Sequence, residues 1–203
     1  MASLYTIGHS TFPFEYFLQN LRMFDIKYLL DVRSVPYSRF AEVYNRENLK
    51  NLLDKHGIVY WYMGKFFGAR PTDLSLYTSS HYLDFEKMRQ SALFKKGMES
   101  VLLGLSRGNN IALMCTEKDP FDCHRAIMVT KGFADAGIMA KHILPGGSIQ
   151  TQNELEERLL NKYFPARNQL DLFQTEKELS EDECKEKSYR LRNAEIGYHI
   201  MAG

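Results

Sequence analysis

The chain has 203 residues, of which 44% are hydrophobic and 25% charged, which fits a globular protein of one domain with an appendage. Its formal net charge of +1 gives no overall field that would favour nucleic acid or an anionic membrane as a partner. Three cysteines are too few, and odd in number, for a disulfide framework, which indicates a reducing compartment. The chain has no run of about eighteen apolar residues and no signal-peptide pattern at its start, so we expect a cytoplasmic protein without a membrane span.

Five short apolar runs predict the β-strands of the chain. Each run is rich in β-branched and aromatic residues and is nearly uninterrupted, which is typical of strands covered on both faces. The runs are Leu4–Ile7, Lys27–Val32, Ile58–Tyr62, Asn110–Cys115 and Lys141–Leu144.

Helical patterns separate these strands. Thr11 is positioned to cap a first helix that has Pro13 in its first turn, and Asn45 to cap a second helix that ends at Gly57. One long helix is predicted from Asp84 to Arg107.

The chain after the fourth strand predicts further helices. Asp122 is expected to cap a helix over Cys123–Ala136, and Thr151 and Glu154 have the spacing of a capping box at the start of the next helix. The last helix is expected to run from about Glu176 to His199 and to pack on the domain or on a second copy of the chain.

The alternation of strands and helices predicts an α/β fold, a three-layer sandwich around a mostly parallel five-stranded sheet. Residues 1–164 would form the α/β domain that carries the site. Residues 165–203 would form a C-terminal helical extension that is not an independent domain and that offers a contact surface for a homodimer. The connection from Gly64 to His81 is long, which is typical of functional loops.

The candidate site follows from the rule that ligands bind beyond the carboxyl ends of parallel strands. Chemically reactive or charged side chains follow each of the first four predicted strands, so we expect them to meet around one pocket at this edge of the sheet. They are His9, Ser10, Asp31, Arg33, Ser38, Arg39, Arg70, Cys115, Glu117, Cys123, His124 and Arg125.

Two cysteines on this edge, Cys115 and Cys123, are the candidate nucleophiles. Cys123 would lie in the first turn of a helix, where backbone N–H groups, His124 and Arg125 favour the thiolate. Cys115 would end a buried strand and stay protonated near neutral pH. The alternative for either cysteine is a structural role as a small buried hydrophobic residue.

The other candidate catalytic side chains are His124 or His9, as the proton carrier, and Glu117, as an orienting carboxylate. Guanidinium groups suit bidentate contact with phosphate, sulfate or carboxylate, so the arginines on this edge predict a small anionic ligand or substrate. The predicted substrate-binding residues are Ser10, Asp31, Arg33, Ser38, Arg39, Arg70 and Arg125. Structural roles stay open for Asp31, as a carboxylate that holds neighbouring loops, and for His9.

The leading hypothesis is therefore an enzyme with a cysteine-containing, anion-binding site and no cofactor. A second hypothesis is a non-catalytic module that binds a nucleotide or another phosphorylated ligand with the same arginines. A third is a metal-dependent protein with Cys115, Cys123, His124 and His9 as ligands. Two features argue against the metal: no C-x-x-C pair is present, and adjacent residues of an undistorted helix cannot easily ligate one ion.

Five segments carry a resemblance to a known family, and they are Tyr5–Ser10, Leu30–Arg39, Leu113–Glu117, Cys123–Arg125 and Leu170–Phe173. With these segments the chain resembles the uncharacterised family called domain of unknown function 488. The resemblance spans nearly the whole chain. It implies no activity, because the family name assigns none.

The chain is also similar, more weakly, to rhodanese-like domains. In both, an Asp-x-Arg ends an early strand, as Asp31 and Arg33 do here, and a cysteine ends a central strand, as Cys115 does. The loop between Cys115 and Arg125 is longer than the cradle of a rhodanese, so the similarity implies a related fold rather than sulfur transfer.

Overall fold

A β-sheet lies at the centre of the molecule in the computed structural model, which describes residues 2–165 and 179–200. Within these residues the sheet has six strands, in the order β3-β2-β4-β1-β5-β6. The strands are β1 (Leu4–Gly8), β2 (Ile26–Asp31), β3 (Val59–Tyr62), β4 (Asn110–Cys115), β5 (Lys141–Ile143) and β6 (Ile149–Thr151). Strands β1 to β5 are parallel, so their carboxyl ends share one edge of the sheet.

The five predicted strands are present, and their ends differ from the predicted ends by no more than one residue. The sixth strand, β6, extends the expected five-stranded sheet and pairs antiparallel with β5. The turn between them contains Gly146 and Gly147, whose φ angles of +89° and +79° favour glycine. With three residues, β6 is too short for its periodicity to be recognised in the sequence.

Helices cover both faces of the sheet. The α-helices of the described residues are α1 (Phe14–Met23), α2 (Arg46–Asp54), α3 (Gly64–Phe67), α4 (Phe85–Gln90), α5 (Ala92–Ser106), α6 (Lys131–Asp135), α7 (Gln152–Tyr163) and α8 (Glu181–Ile196). The shorter elements are the 3-10 turns Glu42–Tyr44, Leu74–Leu76 and Pro120–Asp122 and the π-helix Arg125–Thr130. Helices α1 and α2 pack on one face and the remaining helices on the other, which makes a three-layer α/β fold.

Strand β4, in the middle of the sheet, contributes to both cores. Ile111 and Leu113 pack in one core, and Ala112 and Met114 in the other, because successive side chains of a strand point to opposite faces. All four side chains are buried. This burial on both faces is the physical reason why the strand forms an uninterrupted apolar run in the sequence.

The first two helices begin differently from the prediction. Thr11 does not cap α1, since Pro13 directly precedes the helix and no side chain caps it. Asn45 precedes α2 as expected, but its Oδ1 atom accepts a hydrogen bond from the Ser38 amide instead of from the helix. The Asn45 side chain thus holds a loop.

The long helix predicted from Asp84 to Arg107 is interrupted. It consists of α4 and α5, because Ser91 between them is extended and its hydroxyl accepts a hydrogen bond from the Phe94 amide. Ser91 thereby caps α5. The predicted capping box of α7 is confirmed, with reciprocal hydrogen bonds between Thr151 and Glu154.

The C-terminal helix α8 packs on the domain itself. The Tyr189 hydroxyl donates to Glu156 and accepts from Gln152, both in α7. The Asn193 side chain accepts from the Phe85 amide at the start of α4. The predicted helix over 176–199 is thus confirmed from 181 to 196, whereas residues 176–178 lie outside the described residues. In residues 2–165 and 179–200, no helix is long and apolar enough to cross a membrane.

Candidate functional site

Four polar side chains converge beyond the carboxyl end of β4, and we call them the thiol cluster: Cys115, Glu117, Cys123 and His124. The Glu117 Oε2 atom lies 3.1 Å from the Cys115 sulfur and 2.9 Å from the Cys123 sulfur. The His124 Nδ1 atom lies 3.8 Å from the Cys115 sulfur. The two sulfurs and a ring nitrogen of His124 all lie within 4.8 Å of one another.

The backbone around Cys123 brings consecutive side chains to one point. Cys123 is extended, with φ −130° and ψ 135°, and helical backbone begins only at His124. The Cys123 carbonyl accepts the first helical hydrogen bonds, from the amides of Ala126 and Ile127. Cys123 therefore precedes the first turn, in which the prediction placed it.

Asp122 does not cap this helix, contrary to the prediction. It belongs to the 3-10 turn that begins at Pro120, and this turn is capped by Asp119, which accepts a hydrogen bond from the Phe121 amide. The ring of Pro120 fixes a φ angle that suits the first position of such a turn. The Asp122 carboxylate pairs instead with Arg192 of α8.

The two thiols of the cluster differ in acidity. Burial disfavours ionisation of Cys123, but the hydrogen bond from Cys115 and the charges of Arg125 and His124 outweigh it and lower the pKa of this thiol well below its usual range. The hydrogen bond to Cys123, burial and the nearby Glu117 raise the pKa of Cys115 well above its usual range. The order of acidity agrees with the prediction, and His124 and Arg125 contribute as predicted, but Cys123 lies before the first helical turn in which it was expected.

The pKa values of Glu117 and His124 are both raised by their surroundings. Glu117 is an exposed residue, but its carboxyl group lies against the buried sulfurs, and this burial together with Cys123 raises its pKa. Burial disfavours protonation of His124, yet its contact with Cys123 and the charge of Glu117 raise its pKa. The His124 Nε2 atom lies 3.2 Å from the Val32 carbonyl oxygen, so Nε2 carries a hydrogen and Nδ1 faces the sulfurs.

A buried guanidinium group supports the cluster. The Arg125 side chain is fully buried and donates to the carbonyl oxygens of Glu117 and Lys118 and to the Thr6 hydroxyl. Among the described residues, no carboxylate lies within 4.0 Å of it. Its positive charge therefore acts on the nearby thiols, and it favours the Cys123 thiolate.

A second buried group lies beside the cluster. The Asp31 carboxylate accepts hydrogen bonds from Nε and Nη2 of Arg33, at 2.9 and 2.6 Å, and from the Tyr60 hydroxyl at 2.7 Å. Arg33 also donates from Nη2 to the Tyr44 carbonyl and from Nη1 to Nε2 of His9. Four of the five guanidinium N–H groups are thus engaged, which leaves one on Nη1.

His9 lies behind Arg33, with both ring nitrogens engaged. Its Nδ1 donates to the Ser10 carbonyl at 2.7 Å, and its ring stacks on Tyr44 with centroids 4.2 Å apart. Burial and the charge of Arg33 lower its pKa to about 4, so the ring is neutral at physiological pH. The backbone of His9 is hydrogen-bonded to the Cys115 carbonyl, so both residues lie at the same edge of the sheet.

An open cavity of about 230 Å³ faces these groups. Cys115, Glu117, His124, Arg33 and Arg70 line it; Cys115 and Arg33 are buried, whereas Arg70 is exposed. The remaining lining residues are Ser34, Val35, Ala69, Thr116, Asp122, Ile196 and Tyr198. Its size suits a small ligand rather than a nucleotide-sized one.

Some predicted site residues lie outside the lining of this cavity: Ser10, Ser38, Arg39, His9, Asp31, Cys123 and Arg125. Arg39 is exposed and stacks on Phe40, and Ser38 bonds with the backbone of its own loop. Asp31, Cys123 and Arg125 are buried behind the residues that line the cavity.

The C-terminal segment supplies cavity residues that the sequence reasoning missed. Tyr198 stacks on the Arg70 guanidinium, 4.5 Å from the ring centroid, and Ile196 ends α8 beside it. The Tyr198 carbonyl accepts a hydrogen bond from the Leu83 amide, which anchors the segment. No local pattern identifies these residues, because their role depends on a contact between distant parts of the chain.

Comparison with known proteins identifies one matching family. A family model described as "Domain of unknown function DUF488" matches residues 13–131. The match contains the strand ends that carry Asp31, Arg33 and the whole thiol cluster. The resembling segment at residues 170–173 lies outside the described residues. No curated protein and no solved structure matches the chain.

Proposed function

The chain belongs to the DUF488 family, whose description assigns no activity, and we propose that its cavity is the active site of an enzyme that acts on a small anionic substrate. The observation that carries this proposal is that Cys115, Glu117 and His124 line the same cavity as two arginines.

Arg70 and Arg33 would recognise the anion. Arg70 lines the cavity and is exposed, and Tyr198 stacks on its guanidinium face, which leaves the edge with its N–H groups for a ligand. Arg33 offers its one unengaged N–H from the cavity wall. Asp31 and His9 would act through Arg33 by fixing its orientation, which makes them positioning residues.

Cys115 would supply the nucleophile, because this residue lines the cavity whereas Cys123 is buried and does not line it. The proton of the Cys115 thiol would pass to the Glu117 carboxylate, whose Oε2 atom lies 3.1 Å from the sulfur and whose raised pKa makes it a stronger base. The freed electron pair would form a bond to an electrophilic atom of the substrate. The leaving group would depart with its bonding pair and take a proton from His124, whose pKa is raised, or the proton that Glu117 received from Cys115.

Two alkylating reagents test this proposal, since iodoacetate and iodoacetamide share an electrophilic carbon and a leaving group but differ in charge. At each cysteine, the iodoacetate preference is the rate of reaction with iodoacetate divided by the rate with iodoacetamide. We expect this preference to be higher at Cys115 than at Cys184 in the same molecule. Peptide mapping by mass spectrometry measures both rates. Arg70→Met should lower the iodoacetate preference at Cys115 about tenfold, the size of one lost charge–charge contact of about 1.4 kcal/mol. Arg39→Met, which removes an equal charge outside the cavity, is the matched control.

The proposal would be contradicted if the iodoacetate preference were equal at Cys115 and Cys184 and if Arg70→Met did not alter it. A Cys115 that reacts with neither reagent, in a protein that still binds sulfate through Arg70, would instead support a non-catalytic binding module. The two results thus separate an enzyme from a binder.

A further inference from the structure

We propose that the thiol cluster is also a binding site for a thiophilic divalent cation of the Zn²⁺ class, with Cys115, Cys123, His124 and Glu117 as its ligands. Binding of the ion rests on geometry alone. Its consequence, that a bound ion withholds the Cys115 sulfur from nucleophilic attack, rests on the proposed function.

The distances within the cluster suit a tetrahedral ion. With Zn–S bonds of about 2.3 Å and Zn–N or Zn–O bonds of about 2.0–2.2 Å, ligand atoms lie about 3.5–3.8 Å apart. The separation of the Cys115 sulfur and His124 Nδ1 is 3.8 Å, and the two sulfurs already lie within 4.8 Å of each other. Glu117 does not belong to this group of mutually close atoms: its Oε2 atom lies 2.9 and 3.1 Å from the sulfurs, and its side chain has to turn toward His124 to complete a tetrahedron.

The ring of His124 is oriented as a metal ligand requires. Metal-bound histidines usually donate their second N–H to a carbonyl or carboxylate, which fixes the tautomer. The Nε2 atom of His124 contacts the Val32 carbonyl, so the lone pair of Nδ1 faces the sulfurs. The extended backbone of Cys123 removes the objection that adjacent residues of an undistorted helix cannot share an ion.

The buried charges balance when the ion is present. Two thiolates and one carboxylate carry three negative charges, and the ion with Arg125 carries three positive charges. Arg125 is fully buried and, among the described residues, has no carboxylate within 4.0 Å. Its positive charge therefore neutralises the one negative charge of this ligand set that a divalent ion leaves unpaired.

His9 does not belong to this ligand set, although the sequence suggested it. Both of its ring nitrogens are engaged, one with the Ser10 carbonyl and the other with Arg33. Glu117 takes its place as the fourth ligand. Because Glu117 and Cys115 border the cavity, a solute can reach the ion from that side.

Cobalt(II) is the probe for this site, because tetrahedral thiolate ligation gives Co²⁺ an intense sulfur-to-metal charge-transfer band in the near ultraviolet. The full-length protein, treated with a chelator and dialysed, is titrated with Co²⁺. We expect the band to saturate at one ion per chain. Added Zn²⁺ should displace the Co²⁺ and abolish the band.

Variants and a protection assay complete the test. Cys115→Ser, Cys123→Ser and His124→Gln should each weaken Co²⁺ binding at least 100-fold, since even loss of a group that only orients a ligand costs 10–100-fold. Cys184→Ser, far from the cluster in sequence, should leave binding unchanged. Because a variant could fail to fold, Zn²⁺ protection of Cys115 against iodoacetamide is measured in the wild-type protein.

Wild-type protein that gives no charge-transfer band and no Zn²⁺ protection would overturn the proposal, as would a band that survives both cysteine replacements. These failures are distinguishable from failure of the proposed function. An iodoacetate preference that depends on Arg70 supports the enzyme whether or not Co²⁺ binds. A Co²⁺ site without that preference supports only the metal.

Discussion

Substitutions in the Asp31–Arg33 pair test how the Arg33 guanidinium is held in the cavity wall. Replacing Asp31 with alanine removes a carboxylate that accepts four hydrogen bonds, three from Arg33 and one from Tyr60. Arg33 then keeps its positive charge at 5% exposure without a counter-ion. We expect Asp31→Ala to destabilise the protein and to release the Arg33 guanidinium from its place in the cavity wall.

The expected loss of stability in Asp31→Ala depends on how many hydrogen bonds of Arg33 remain. Four hydrogen bonds involving charged groups, at about 1.5–3 kcal/mol each, would sum to roughly 6–12 kcal/mol, but bonds in one network are not additive. Removing one partner of a buried pair costs about 3–5 kcal/mol. Arg33 keeps its bonds to Tyr44 and His9 and borders the cavity, where water can reach it. We therefore expect a loss of about 3–4 kcal/mol, which lowers Tm by roughly 6–16 °C.

Urea unfolding of wild type, Asp31→Ala, Arg33→Met and the double variant measures this loss and the coupling between the two residues. The double variant buries no unpaired charge, so we expect it to lose less stability than the two single variants together. Arg190→Met is the matched control, because Arg190 pairs with Glu86 on the surface. Its effect should stay within about 0.5 kcal/mol.

Two results would refute this reasoning. The first is a loss below about 1 kcal/mol for Asp31→Ala, which would mean that Arg33 does not depend on its carboxylate. The second is a double variant whose loss equals the sum of the single losses, which would mean that the pair is not coupled.

Three further predictions concern pH, a close backbone approach and the C-terminal helix. The pKa of His9 is lowered to about 4 in the folded state, so the unfolded chain binds more protons below about pH 6.5. This group alone should lower the free energy of unfolding by up to about 3 kcal/mol between pH 6.5 and 4. In urea titrations, His9→Gln should remove that part of the dependence and leave the part that comes from His142, whose pKa is lowered to about 3. Gly8→Ala would place a Cβ against the Glu117 carbonyl, so we expect Tm to drop by several degrees and Co²⁺ binding to weaken; unchanged values would show that the loop moves freely. Arg192→Met removes the ion pair with Asp122, so hydrogen–deuterium exchange should become faster in residues 116–122 and 196–200. Exchange in β2 is the control and should not change.

The sequence alone determined the five parallel strands and the edge at which polar residues gather. Burial on both faces makes the inner strands β1 and β4 apolar runs, and such a run is visible without knowledge of the fold. Strand β3 lies at the edge of the sheet and exposes Val59 and Trp61, so the expected coverage on both faces was wrong for it. The parallel arrangement then sends every strand end to the same edge, which is why His9 and Cys115 are neighbours in space. Boundaries of helices were less predictable, since Ser91 interrupts a pattern that reads as one helix.

Only the tertiary structure decided what each polar residue does at that edge. Four arginines look alike in sequence, yet Arg125 is buried under the thiols, Arg33 is held by Asp31, Arg39 lies outside the cavity and Arg70 lines it. The direction of a side chain beyond a strand end is set by the loop backbone and by what packs against it. A segment that is distant in sequence, with Tyr198 against Arg70, completes the wall, and such contacts leave no trace in local spacing.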